Sequence, residues 1–183
     1  MNEIQPTERY IGRCFWLDTN RINASGRLPN VTQLERWRDD GVITLELSEV
    51  AQTEAMAGGN PQRSLKALTH VTWGTTVDAE LAQRIETILF PNGARNQNKR
   101  NDVLMVAMAM NCNACLVTAD GASRTQPHGI LGSRAALASL GVQVMTDDEA
   151  VAHVRDRIAV RDKVARYKAQ KLGVPLPEWV GKD

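Results

Sequence analysis

The chain has 183 residues, of which 43% are hydrophobic and 23% charged. That suits one folded domain whose core needs no disulfide or structural metal, and it excludes a disordered polymer. A formal net charge of +1 excludes a strongly basic or acidic molecule, so a nucleic-acid partner would have to be met by a local basic surface.

Cys14, Cys112 and Cys115 provide no disulfide framework. No apolar run approaches the roughly 20 residues of a membrane span, and the opening MNEIQPTERY has no signal-peptide core. The expectation is a cytoplasmic protein with no membrane contact.

In chain order, residues 13–17 (RCFWL) read as a buried strand that stops at Asp18-Thr19-Asn20. Residues 32–40 read as a helix with Leu34 and Trp37 inward, and Thr32 with Glu35 suggests a capping box. Residues 42–47 (VITLEL) form a second strand. Ser48 then caps a helix, EVAQTEAMA, which Gly58-Gly59-Asn60-Pro61 ends. The stretch 62–77 has no clear pattern. Residues 78–90 make an amphipathic helix with Leu81, Ile85, Ile88 and Leu89 on one face. A polar, basic loop follows (91–101), then DVLMVAMAMN, apolar all round and therefore a buried helix. Residues 114–118 are a third strand, 133–140 a short helix and 142–146 a fourth strand. Asp147-Asp148-Glu149 opens a long C-terminal helix, where the helix dipole favours carboxylates.

Strands and helices alternate, and each strand is a nearly continuous apolar run. Both features predict an α/β fold, a three-layer sandwich with a central parallel sheet of four or five strands flanked by helices. Sites in such sheets lie outside the carboxyl ends of the strands. Asp18 follows the first strand and Asp120 the third. Asp102 opens a helix that starts from that edge, and Glu54 lies in the early turns of the helix after the second strand. Topology therefore gathers four carboxylates. Together they repel, and a hard divalent cation such as Mg²⁺ relieves the conflict. Such an ion activates water and stabilises the leaving oxygen of a phosphodiester. Taken singly, each acid has an ordinary explanation in a turn, a helix cap or a solvated face.

Four segments in order, LDTN (17–20), SEVAQTE (48–54), NDVLMVAMAM (101–110) and LVTAD (116–120), resemble the acidic motifs of the PIN-domain family. The resemblance covers roughly residues 12–150. It implies a metal-dependent ribonuclease, with Asp18, Glu54, Asp102 and Asp120 as catalytic and metal-binding residues for Mg²⁺ or Mn²⁺. It further implies Asn20, Ser48 and Thr118 as polar supports, RNA as substrate, and a role in toxin–antitoxin pairs with an antitoxin-like partner or a homodimer. Arg21 departs from the family, which often has an apolar residue there, and no further acid close after Asp120 supplies a fifth carboxylate. Alternatives are a non-catalytic PIN-like scaffold for nucleic acid or protein, and a nuclease acting on DNA, including single-stranded DNA.

Arg95, Lys99 and Arg100 precede Asp102, and Arg124 follows Asp120; with Arg21 they are the candidate nucleic-acid contacts. His128 lies in the same loop as Arg124. His70 and His153 are scattered, and surface positions suffice for them. Cys112-Asn-Ala-Cys115 has two-residue spacing but no second pair, so buried thiols are the simplest reading. The expected division is a PIN-like nuclease domain over 1–150, then a basic helix and apolar tail over 151–183. That segment carries Arg155, Arg157, Arg161, Lys163, Arg166, Lys168 and Lys171 against Asp156 and Asp162. Its tail, LGVPLPEWV, is expected to pack on the domain or a partner.

Overall fold

A computed structural model of the chain describes residues 8–22, 28–58, 71–72, 76–121 and 128–183. Its strands are β1 (Cys14–Leu17), β2 (Thr44–Ser48), β3 (Val71–Thr72), β4 (Cys115–Val117) and β5 (Gln143–Met145). Its helices, renumbered consecutively, are α1 (Thr19–Ile22), α2 (Pro29–Asp39), α3 (Glu49–Gly58), α4 (Ala79–Leu89), α5 (Gln97–Asn111), α6 (Arg134–Ser139) and α7 (Asp147–Leu172).

The strands form one parallel sheet in the order β3-β2-β1-β4-β5, with β3 a two-residue edge. Alternate residues of β1, β2 and β4 enter opposite layers, as the pleat requires. Phe15, Leu17, Leu45, Leu47, Cys115 and Val117 meet Leu34 and Trp37 of α2 and Val151, Val154 and Ile158 of α7. Trp16 and Leu116 face the other way, onto α4, α5 and α6 through Ile85, Leu89, Val106 and Leu137. The chain is therefore an α/β sandwich of three layers, as its alternating pattern predicts. Among the described residues no helix is long and apolar enough to cross a membrane.

Two helix starts differ from expectation. α2 begins at Pro29, with Leu28 at the cap and no side-chain cap bond. Proline at the first position presets φ and lacks the N–H that would otherwise stay unbonded, so the Thr32–Glu35 capping box does not form. α5 begins at Gln97, because the Asn96 side chain accepts from the Lys99 N–H at 2.9 Å. The basic segment expected as loop thus forms the first turn of α5, and Asp102 lies in its second turn.

Ser48 does cap α3, its Oγ accepting from the Ala51 N–H at 3.0 Å. α7 carries a full capping box between Thr146 and Glu149. This helix crosses residue 150 without a break, and Ala150, Val151, Val154 and Ile158 are core. The tail returns along α7: the Gly181 N–H donates to Asp162 at 2.7 Å, Arg161 stacks on Trp179 with 4.4 Å to the ring centre, and Arg9 and Arg161 both bind Asp183. The cysteines are free thiols. Burial above all pushes Cys14 and Cys115 up to about 12, which keeps both protonated at neutral pH.

Candidate functional site

The strand order reverses between β1 and β4: β2 and β3 follow on one side of β1, and β4 and β5 lie on the other. Such a switch point opens a crevice at the carboxyl ends of the two strands. Register sets Leu17 beside Val117, so the next residues, Asp18 and Thr118, emerge side by side. The Asp18 N–H extends the ladder to the Val117 carbonyl at 3.0 Å.

A cavity of about 520 Å³ sits there, lined by Asp18, Thr19, Asn20, Glu54, Ala57, Asn98, Asp102 and Asp120. All four acids singled out from the sequence thus face one space, each from a different segment of the chain.

Asp18 is 6% exposed. Its Oδ2 accepts from Thr118 Oγ1 and from Asn20 Nδ2, both at 2.5 Å. Thr118 Oγ1 also accepts from Asn20 Nδ2 at 3.1 Å and from the Asp120 N–H at 2.9 Å. The one hydroxyl donor and its acceptor capacity are thereby all used, and Thr118 is fully buried. Burial pushes the Asp18 carboxyl up to about 6; the Thr118 bond opposes this, and the charges of Asp120 and Glu54 add to it.

Glu54 is held by both oxygens, Oε2 by Thr19 Oγ1 at 2.8 Å and Oε1 by Asn101 Nδ2 at 2.6 Å. Asp120 is gripped by backbone: the Ile130 N–H donates to its Oδ2 and the Leu131 N–H to its carbonyl, each at 2.9 Å.

This grip depends on a close approach of two glycines. A Cβ on Gly121 (φ +81°) would come within 2.8 Å of the Gly129 backbone, and a Cβ on Gly129 would strike the Asp120 carboxylate. Asp102 is different again. Among the described residues no donor reaches its carboxylate. Burial first, then Asp18, Asp120 and Glu54, push it up to about 7.

These oxygens suit a hard cation. Among the described residues the Asp102 carboxylate meets no donor, and the neighbouring acids push it and Asp18 upward, a conflict that a cation relieves. As the side chains stand, no three acid, imidazole or thiol groups among the described residues are drawn together around one point that could hold a metal.

The supports Asn20 and Thr118 touch the acids directly. Ser48 does not; it acts by starting α3, which carries Glu54. The sequence reading missed Thr19, Asn101 and Gly129. Asn101 stands beside Asp102, and Thr19 beside Asp18, so proximity in sequence was their only signal. Gly129 gave none, because its role is a contact across a loop.

The cations expected at the site are mostly elsewhere. Arg21 is 16% exposed at its side chain and pairs with Asp147 at 3.0 Å. Lys99 lies over the Phe90 ring at 5.1 Å, while Arg95 and Arg100 reach back to the carbonyls of Asn92 and Ala94. None of these four lines the cavity; from the first turn of α5, Asn98 does. Arg124 and His70 fall outside the described residues. His128 is exposed and His153 packs edge-on against Phe15. The chain matches no protein-family model and no curated protein.

Proposed function

We propose that the chain is a divalent-cation-dependent nuclease of PIN type, acting on RNA through the acid cleft. The observation that carries this reading is the placement of Asp18, Glu54, Asp102 and Asp120 around one cavity at the sheet's switch point. The choice of RNA rests on the four motifs and their resemblance.

Asp18, Asp102 and Asp120 would hold Mg²⁺ or Mn²⁺, which when bound supplies an activated water and charge neutralisation at a phosphodiester. Carboxylates of like charge repel, and a cation is what would let them draw together. Mg²⁺ also retains several of its waters and need not touch every acid. Glu54, fixed by Thr19 and Asn101, is aimed into the same space and orients water for attack. Asn20 and Thr118 keep the Asp18 oxygens turned to the cavity. Asn98 offers a neutral donor and acceptor at the rim.

Cleavage of labelled RNA and of single-stranded DNA, with Mn²⁺ and with chelator, tests the activity and its substrate. We expect Mn²⁺-dependent cleavage of RNA that Asp18→Asn and Asp102→Asn each reduce at least about a hundredfold, the scale of losing one preorganised electrostatic group. Cleavage unchanged in both variants would sink the reading.

A toxin role, with an antitoxin-like partner in the cytoplasm, belongs to the same resemblance. Growth arrest on expression of the wild-type chain, relieved by Asp102→Asn, would support it. The scaffold alternative has one observation in its favour: Lys163, Arg166, Lys168 and Lys171 are exposed on the last turns of α7. Strongly salt-dependent RNA binding without cleavage would favour it.

A further inference from the structure

From the geometry around Asn20 we infer that Arg21 is a positioning residue of the acid site, anchored by Asp147 and aimed at Asn20, and not a contact for substrate. The inference rests on the nuclease reading for its consequence, but its structural part stands apart from it.

Asn20 has work for both ends of its carboxamide. Nδ2 donates to Asp18 and to Thr118, and Oδ1 accepts from the Ala119 N–H and from Arg21 Nε, both at 3.2 Å. A carboxamide is nearly symmetrical in shape, and only its hydrogen-bond partners decide which end faces which way. Turned over, Asn20 would present a carbonyl oxygen to the Asp18 carboxylate. Two donors on Oδ1 oppose that flip, and Arg21 supplies the charged one.

Arg21 is itself fixed. Its second contact, Nη1 to Asp147 Oδ1 at 3.0 Å, spans from α1 to the first residue of α7. The Asp147 side chain is 14% exposed. The start of α7 cannot drift, because Thr146 and Glu149 close a capping box and Ala150 and Val151 are core. A guanidinium bonds both groups through separate nitrogens, which the single ammonium of lysine cannot do in the same geometry. The series Asp147–Arg21–Asn20–Asp18 thus joins a core helix to the most buried acid of the cleft. A phosphate contact needs a cation free to turn outward, and this one is mostly covered with two of its nitrogens engaged.

The test compares wild type, Arg21→Met, Asp147→Asn and the double variant. Three things are read: the Asn20 side-chain amide resonances of the metal-free protein, the affinity for Mn²⁺ alone, and the affinity for a short single-stranded RNA as a function of salt. We expect the Asn20 resonances to move in both single variants. Mn²⁺ should bind about tenfold to a hundredfold more weakly in each, the range for groups that orient a ligand without touching the ion. The double variant should be no worse than the weaker single, and the salt slope of RNA binding should not change.

Unmoved Asn20 resonances with wild-type Mn²⁺ affinity in both single variants would overturn the inference. So would a salt slope smaller by about 0.7 in Arg21→Met with Mn²⁺ affinity intact, since that is the signature of one lost phosphate contact on a single strand. If wild type binds no Mn²⁺, the nuclease reading falls, while the Asn20 resonances still decide whether Arg21 positions the amide.

Discussion

Among the described residues no donor reaches the Asp102 carboxylate, and its titration should be visible in stability. Its carboxyl sits at about 7 in the folded chain against an ordinary value of 3.8. Between those values the folded state binds the proton more readily than the unfolded one, so the metal-free protein should lose stability as pH rises from 3.8 to about 7 and level off above. Asp18, at about 6, acts in the same direction over the lower part of that window. Thermal unfolding against pH, in chelator, checks this. Asp102→Asn should flatten the slope and unfold at a higher temperature than wild type at pH 8, and added Mn²⁺ should raise the midpoint of wild type far more than that of the variant. Gly129→Ala is the counterpart on the backbone side. Its methyl would push on Asp120 and Gly121, and we expect a loss of about 1–3 kcal/mol in denaturant unfolding, as for overpacking generally, with weaker Mn²⁺ binding. The acids were legible in the sequence because continuous apolar runs mark strand ends, and Asp18 and Asp120 stand just past two of them. Arg21 was not, since a cation near acids looks the same on paper whether it faces solvent or Asp147.

Helices bring two of the four acids to the cleft, and their first turns decide how firmly. Ser48→Ala should cost about 1 kcal/mol in chemical denaturation through loss of the α3 cap, and it should loosen Glu54 without touching it. Asn96→Ala should fray the turn that holds Asn98 and Asn101, so that Glu54 loses one of its two partners. The sequence predicted the existence of these helices well and their starts poorly. Ser48 is followed at once by helix-forming residues, and the structure has it capping α3. At α2 the competition was between Thr32 and Pro29, and the proline prevails because its fixed φ commits the chain three residues earlier. At α5 the run Gln97-Asn98-Lys99-Arg100-Asn101 is polar enough to pass for a loop, but Asn96 caps it and Val103, Met105 and Val106 bury the helix it begins. Hydrophobic periodicity reads buried faces, and a solvent-facing first turn has none to show.

At the scale of the molecule, the acidic half of the story lies at one end of the sheet, while a second charged cluster ties the chain's beginning to its tail. Arg161 bridges the buried Asp162, the Arg9 carbonyl and Asp183, and Asp162 is 4% exposed. Arg161→Ala would take the cation from the buried Asp162 and leave Asp183 with Arg9 alone, and we expect a loss of about 3–5 kcal/mol in denaturant unfolding, as for other buried pairs broken from one side. The three layers and the parallel sheet were legible from the alternation of apolar runs. The clasp was not, because it pairs residues from opposite ends of the sequence and no local pattern encodes it.

The central position of β1 has a consequence for how the chain is made. Its inner neighbour on one side is β4, so Phe15 must wait for Cys115 before the middle of the sheet can close, and Asp120 comes later still. Pairings so distant slow assembly, and at about 5–20 residues per second of synthesis the nascent polypeptide spends several seconds with Asp18 emerged and its opposite wall unmade. Whatever chemistry the finished crevice performs, a ribosome-bound fragment ending before β4 cannot perform it.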